Sequence, residues 1–411
     1  MTQLFWIEPS GNCYSYADLV REATNARLIN SVQKTSNQFE LWATLLASIL
    51  HDSPISLVDS DCTEQELERF GISSEQKVVF APPEISLEDL RDGWRPKRWR
   101  LTLFTSGTTG RPKSVAHSLE SLTRNVRLGA RHQDDVWAFC YHPTHFAGIQ
   151  VFLQALLNLN PMIFLFGSNP DTAWEEIRRF NVTHLSATPT FLRNLMVANN
   201  PGSSSIRSIT FGGERFDPAL AKKLNTLLPL AKIRNIYAST EAGSLLASDG
   251  ESWEIPTHLQ PLVRISSENE LLVHKSLLGD FHGSSLQEGQ ESDWFQTGDK
   301  IEQLDDRKFR IVGRAVELIN VGGYKINPHE IEQEIRMNDL VRDCRVWARK
   351  NSVTGQIICA DVVLRDETDQ QTFDQGLRKH LSSVLQPWKQ PRIIRYVEKI
   401  ELSRTGKVIR K

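Results

Sequence analysis

The chain has 411 residues, of which 40% are hydrophobic and 24% charged, with a formal net charge of -2. Such length and balance fit a globular protein of two or three domains with a sizeable core, and exclude the basic footprint of a nucleic-acid binder. No apolar run approaches the roughly 18–20 residues of a membrane-spanning helix, so no membrane insertion is expected.

The first residues, MTQLFWIEPSG, lack the basic start and apolar run of a signal peptide. Five scattered cysteines, Cys13, Cys62, Cys140, Cys344 and Cys359, show no metal-ligand spacing, and read as buried, reduced thiols of a cytoplasmic protein. Helical spacing is predicted near residues 16–28 and 39–51. From about 77 to 240, β-rich runs (KVVFAP, RLTLFTS, DVWAFCY, PMIFLF, THLSATP, RSITFGG, RNIYAS) alternate with helical segments near 117–130, 148–158, 172–180, 189–199 and 216–228. This alternation predicts an α/β fold of layered elements with buried strands.

NNPGSSS at 199–205 reads as a loop, and strand-like pieces dominate from 250 to about 312. A compact α+β unit follows: KFRIVGR, INVGGYKINP, a helix from Pro328, DCRVWARK, QIICADVVL, a helix over 370–385, and RIIRYVEK. A boundary near Gly313 divides the chain into a large N-terminal domain, 1–313, and a small C-terminal domain, 314–411.

TLFTSGTTGRPKS at 102–114 is the stretch richest in chemistry. It follows a predicted strand and is expected to precede a helix, an arrangement whose backbone N–H groups converge on an anion. Pro112 stands where a Walker A loop needs glycine before its lysine. A hydroxyl-rich turn without a ligand is the alternative.

With its proline and lysine, TSGTTGRPK resembles the phosphate loop of the adenylate-forming superfamily, which includes acyl- and aryl-CoA ligases, peptide-synthetase adenylation domains and firefly luciferase. YASTE at 237–241, WFQTGD at 294–299, GRAVELINVGGYKINPHEIE at 313–332 and LSRTGKVIRK at 402–411 resemble further family segments in family order. The compact o-succinylbenzoate-CoA-ligase-like and carrier-loading aryl ligases are the most similar types.

The resemblance implies ATP-dependent activation of a carboxylic acid to an acyl adenylate, with Mg²⁺, followed by transfer to a thiol. By the same resemblance, Thr105, Ser106, Gly107, Thr108, Thr109, Gly110 and Lys113 hold the β,γ-phosphates, and Thr240 a phosphate oxygen. Glu241 holds Mg²⁺, as suits a hard oxygen ligand. Asp299 and Arg314 hold the ribose, and Tyr237 lies in the same nucleotide site. Gly212, Gly213 and Glu214 border the adenine, and Lys407 reaches the α-phosphate and the carboxylate. His145, Phe146, Phe211 and Ser239 border the acid.

YHPTHFAG at 141–148 offers no aspartate to an ammonium, which favours an aryl or aliphatic acid over an α-amino acid. The implied small C-terminal domain is mobile: it rotates between half reactions and brings Gly322 and Gly323 to the pantetheine thiol. That thiol belongs to coenzyme A or to the phosphopantetheine of an acyl carrier protein. Arg342, Arg345, Arg349 and Lys350 read as a solvated charged strand, or as a contact for a coenzyme phosphate or an acidic carrier. Two departures stand out: Val316 replaces the usual polar hinge residue, and NEL at 269–271 replaces GEL. A catalytically silent nucleotide- or acid-binding relative is the remaining alternative, and Val316 is its one support.

Overall fold

The computed structural model describes residues 3–26, 28–30, 32–60, 62–69, 77–79, 85–106, 112–198, 205–282, 293–305, 308–314, 317–321, 324–351, 355–365, 369–403 and 408–409. An eight-stranded sheet forms its largest layer, in the spatial order Gly243–Ser248, Lys232–Ser239, Ser208–Phe211, His184–Ala187, Trp137–Phe139, Met162–Phe164, Leu4–Ile7, Cys13–Ser15. The six inner strands are parallel and the two outermost pairings antiparallel. Residues 5–7 belong to this sheet: Phe5 and Trp6 are buried beside Trp42, Phe139 and Phe152, and Ile7 is buried in a second cluster with Ala138 and Ile163. Trp42 stacks on Phe152 at 4.5 Å between ring centres.

A five-stranded sheet runs Asp280–His282, Pro112–His117, Leu101–Ser106, Ile55–Leu57, Val32–Gln33, and another, antiparallel, runs Ser252–Glu254, Lys308–Arg314, Trp294–Gln303, Glu270–His274, Val263–Ile265. Helices Pro170–Arg179, Pro189–Leu195, Pro218–Leu227 and Pro328–Arg336 share one start. Asn169, Thr188, Asp217 and Asn327 cap them with side-chain oxygens, and proline takes the first turn. The helical spacing near 117–130 yields only Leu119–Thr123 and a 3-10 turn at Ala130–His132, with Gly129 before that turn at a positive φ of 124°. Asn269 adopts a left-handed φ of 55°, a conformation asparagine tolerates, so NEL turns without glycine.

The C-terminal sheet, Tyr324–Ile326, Ile319–Val321, Gly355–Leu364, Val341–Asn351, carries Ile393–Tyr396 parallel to Gly355–Leu364 and packs on helices Pro328–Arg336 and Gln370–Val384. Among the described residues, ion pairs join it to the N-terminal layers: Arg193 lies 3.5 Å from Asp343, and Lys223 lies 3.0 Å from Asp339. No helix among the described residues is long and apolar enough to cross a membrane. Four cysteines are buried as expected, whereas Cys13 is exposed on an edge strand.

Within the basic strand, Arg345 is not solvated. Its guanidinium donates to Asp361 at 2.5 and 3.0 Å and to the Ile409 carbonyl at 2.8 Å, while Arg395 donates to the other Asp361 oxygen at 2.7 Å. Burial works against the Asp361 charge, but the two arginines hold its carboxyl below the ordinary range. A depressed carboxyl contributes stability that is present above its unfolded value and lost as pH falls through the folded one. Asp361→Ala, which leaves Arg345 buried and uncompensated, should cost about 3–5 kcal/mol, read as a lower urea midpoint. A midpoint equal to that of the parent would show that the pair carries no weight.

Candidate active site

The strands on either side of the glycine-rich segment pair with one another. Leu101–Ser106 pairs antiparallel with Pro112–His117, and Thr105 lies opposite Lys113. The expectation of a helix directly after that segment is corrected here: residues 114–117 are all buried, in a strand that pairs back on Leu101–Ser106 and, on its other side, with Asp280–His282. Gly107, Thr108, Thr109 and Gly110 lie outside the described residues, as do Lys407, Val316, Gly322 and Gly323.

Three elements converge on Asp299. Tyr237, on the eight-stranded sheet, donates its hydroxyl to Asp299 Oδ2 at 2.6 Å, and Arg314, directly opposite on the neighbouring strand, donates Nε to Oδ1 at 3.2 Å. Asp299 is buried, and burial raises its carboxyl above the usual range even though Arg314 and Tyr237 pull the other way. Burial and the Asp299 charge likewise raise the Tyr237 phenol. Burial opposes the Arg314 charge, which Asp299 and then Glu241 support, so Glu241 acts in the same field. A buried carboxyl still short of compensation gains from further donors, and a vicinal diol supplies two. This set therefore fits a ribose, and Glu241 beside it supplies a hard oxygen of the kind that magnesium takes.

Thr240 and Glu241 form the turn between Lys232–Ser239 and Gly243–Ser248, where the Ser239 hydroxyl accepts from the Ala242 N–H at 3.1 Å. Two contacts that sequence reasoning missed fix this turn. His117 Nε2 lies 2.6 Å from the Thr240 carbonyl, and the Gly279 N–H donates to the Glu241 carbonyl at 2.9 Å. A carbonyl only accepts, so His117 carries its proton on Nε2 and Nδ1 accepts from Ser121. A Cβ at Gly279 would stand 2.8 Å from both the Ala116 carbonyl and His117, so glycine is what allows this approach. His117 and Thr240 are 123 residues apart, and nothing local in the sequence signals their contact.

On the acid side, Phe146 begins helix Phe146–Asn158, with its ring 5.7 Å from His117 and close to Gly243, and His145 caps that helix without a side-chain bond to it. Phe211 is fully buried against Phe216 and so acts from within the core. Gly212 leaves room for the Tyr141 hydroxyl, 3.0 Å from where its Cβ would be, and Gly213 takes a left-handed φ of 77°. Glu214 Oε2 accepts from the Thr190 hydroxyl and N–H at 2.8 and 3.1 Å. Its Oε1 is buried without a partner among the described residues, which leaves an acceptor for a ligand donor.

Comparison with known proteins places this geometry in context. The family model for the AMP-binding enzyme matches residues 92–265 and that for the AMP-binding enzyme C-terminal domain matches 330–407, together more than half of the chain. An acyl-CoA synthetase of Alternaria alternata is 25% identical over 402 residues, covering 82% of this chain and 68% of that protein. The o-succinylbenzoate CoA synthetase of Bacillus subtilis shares the fold at 16% identity. Its complex with the acyl-adenylate intermediate superposes with a TM-score of 0.73, covering 99% of this chain and 94% of that one. Its complex with ATP and magnesium ion gives 0.71, covering 99% and 96%.

Burial, only partly offset by the bond to Thr240, lowers the His117 pKa below its ordinary value. The unfolded chain then binds the proton more readily, so stability present above about pH 6.5 is lost as pH falls through the depressed folded value. His117→Gln should flatten part of the fall in Tm between about pH 7 and 5, to which His184, also lowered by burial, contributes in the same direction. An unchanged slope would remove His117 from this role.

Proposed function

The chain belongs to the AMP-binding enzyme family, the AMP-forming acid–thiol ligases, and from that premise we propose that it activates an aryl or aliphatic carboxylic acid and passes it to the thiol of coenzyme A. In the first half reaction a carboxylate oxygen attacks the α-phosphorus of ATP, and the bond to pyrophosphate breaks. In the second, the thiol sulfur attacks the acyl carbon, AMP leaves, and the thiol proton passes to solvent.

What supports this reading is the buried Asp299 carboxyl, ringed by Tyr237 and Arg314 yet short of compensation. Asp299, Arg314 and Tyr237 take the ribose, and Gly212, Gly213 and Glu214 border the base. Thr105, Ser106, Gly107, Thr108, Thr109, Gly110 and Lys113 take the β,γ-phosphates, with Thr240 on a phosphate oxygen. Glu241 would hold Mg²⁺, which supplies positive charge where two anions meet. His117 and Gly279 keep the Thr240–Glu241 turn in place, so this carboxylate does not have to be reoriented during reaction.

His145, Phe146, Phe211 and Ser239 border the acid. The nearby Asp59 carboxylate accepts from Thr144, and a plain acid suits the imidazole and phenyl groups of this segment better than an ammonium does. Lys407 meets the α-phosphate and the acid, and Gly322 and Gly323 line the thiol path in a second domain orientation. The C-terminal unit, 314–411, holds its own core and meets the rest at the pairs Arg193–Asp343 and Lys223–Asp339, which such a rotation would break.

Pyrophosphate release with ATP and Mg²⁺ across a panel of aryl, short and long acids tests the reading. Each acid is run alone, with coenzyme A, and with a phosphopantetheinylated carrier protein. Acid-dependent release that turns over with coenzyme A is expected. Turnover with the carrier alone would overturn the acceptor, and no acid-dependent release at all would overturn the activity. Lys407→Ala should lose at least about 10²-fold in adenylation, as for removal of a transition-state electrostatic contact, yet still transfer from pre-made adenylate. Asp299→Asn should raise KM for ATP.

A further inference from the structure

Asp59 lies far in the sequence from His142 and His145, and the three stand in loops beyond strands of two different sheets, yet their metal-ligating atoms all fall within 4.8 Å of one another. Asp59 stands two residues beyond Ile55–Leu57, next to the strand that leads into the phosphate-loop hairpin. His142 stands three residues beyond Trp137–Phe139, an inner strand of the eight-stranded sheet, and His145 caps the helix that follows. Both strands run in parallel ladders, and the crevice beyond the carboxyl ends of parallel strands is where α/β folds place ligands.

We propose that these three side chains form a binding site for one divalent transition ion of the zinc class, separate from the magnesium assigned to Glu241. Bonds of about 2.0–2.2 Å to a tetrahedral ion set neighbouring ligand atoms about 3.3–3.6 Å apart. His142 Nδ1 and Asp59 Oδ1 lie 3.5 Å apart. The His145 ring meets that of His142 edge to face, 5.5 Å between centres, so a small swing about its side chain brings the third donor in. Two imidazoles with one carboxylate select zinc-class ions over magnesium, which prefers oxygen alone.

The surroundings are those of a supported site. Thr144 links the two ligands: its hydroxyl donates to Asp59 Oδ1 at 2.5 Å and lies 2.9 Å from His142 Nδ1, a contact that holds the pair together and gives way when an ion takes those atoms. A Cβ at Gly148 would stand 2.7 Å from the His142 carbonyl, so glycine lets the helix lie against the histidine loop. The His145 N–H donates to the same carbonyl at 3.1 Å, which fixes the spacing of the two histidines. Three protein ligands leave a coordination position open to water or to an oxygen of the acid. An ion held there ties the two sheets together.

The test uses tag-free, full-length protein, stripped with a chelator, desalted and kept in excess Mg²⁺. It is titrated with Co²⁺, read by visible absorption, and with Zn²⁺, read by competition with a chromogenic chelator. One equivalent of each ion is expected, with a four- or five-coordinate cobalt spectrum and a raised Tm. His142→Ala and Asp59→Asn should abolish the uptake, and Glu241→Gln should keep it. No stoichiometric uptake by the folded parent would overturn the site, as would uptake that persists in both His142→Ala and His145→Gln. Melting curves establish that each variant is folded. Should His142→Ala fail to fold, the parent titration and His145→Gln decide the matter. These readouts do not depend on ligase turnover, so the failure of this site and the failure of the proposed activity are told apart.

Discussion

A carboxylate can be buried only in company, and at Asp299 that constraint organises the nucleotide side of the molecule. The charge is drawn out of water between two sheets, so its partners must come from both. Tyr237 arrives from the parallel sheet and Arg314 from the antiparallel one. Arg314 in turn feels Glu241, so one buried acid couples a strand end, a turn and the last strand before the C-terminal unit. The partial compensation that remains is the physical form of a binding site, because the missing donors are left for a ligand to supply.

The second constraint is steric. Gly279 lets a strand approach His117 and the Glu241 turn, at a place where any side chain would collide with backbone. His117 is buried by the same approach, which keeps its imidazole neutral and commits Nε2–H to the Thr240 carbonyl. The two strands of the phosphate-loop hairpin and the Thr240–Glu241 turn are thereby parts of one hydrogen-bonded body. A site that must meet three phosphates and a carboxylate needs that rigidity, since donors that have to reorganise lose much of their effect.

The C-terminal unit answers a different demand. It holds its own core and its own buried ion pair, and the Arg345 that pairs with Asp361 also grips the Ile409 carbonyl. Leu402 bridges to Val408 across the segment that contains Lys407, so the tail is anchored on both sides of its motif. Among the unit's contacts with the rest are the exposed pair Lys223–Asp339 and the largely buried pair Arg193–Asp343.

Much of this was written in the chain. The alternation of β-rich runs with helical spacing gave the α/β layers, because both periodicities are local. Pro328 marked a helix start for the same reason, and the structure shows the same cap-and-proline start at 170, 189 and 218. The family motifs named Tyr237, Asp299 and Arg314 before their contact was visible. Local pattern failed where pairing decided the outcome: residues 112–117 became a strand because the partner strand lies alongside, and residues 5–7 entered the core because parallel pairing with Met162–Phe164 called for them. Arg345 reads as a surface charge until Asp361 is seen opposite it. The sequence by itself determined which groups are candidates for the site and which layers of the fold to expect, since residue type and short-range period are properties of the chain. The tertiary structure alone decided that His117 holds Thr240 and that Asp59 meets His142 and His145, because contacts across tens of residues are set by how sheets pack.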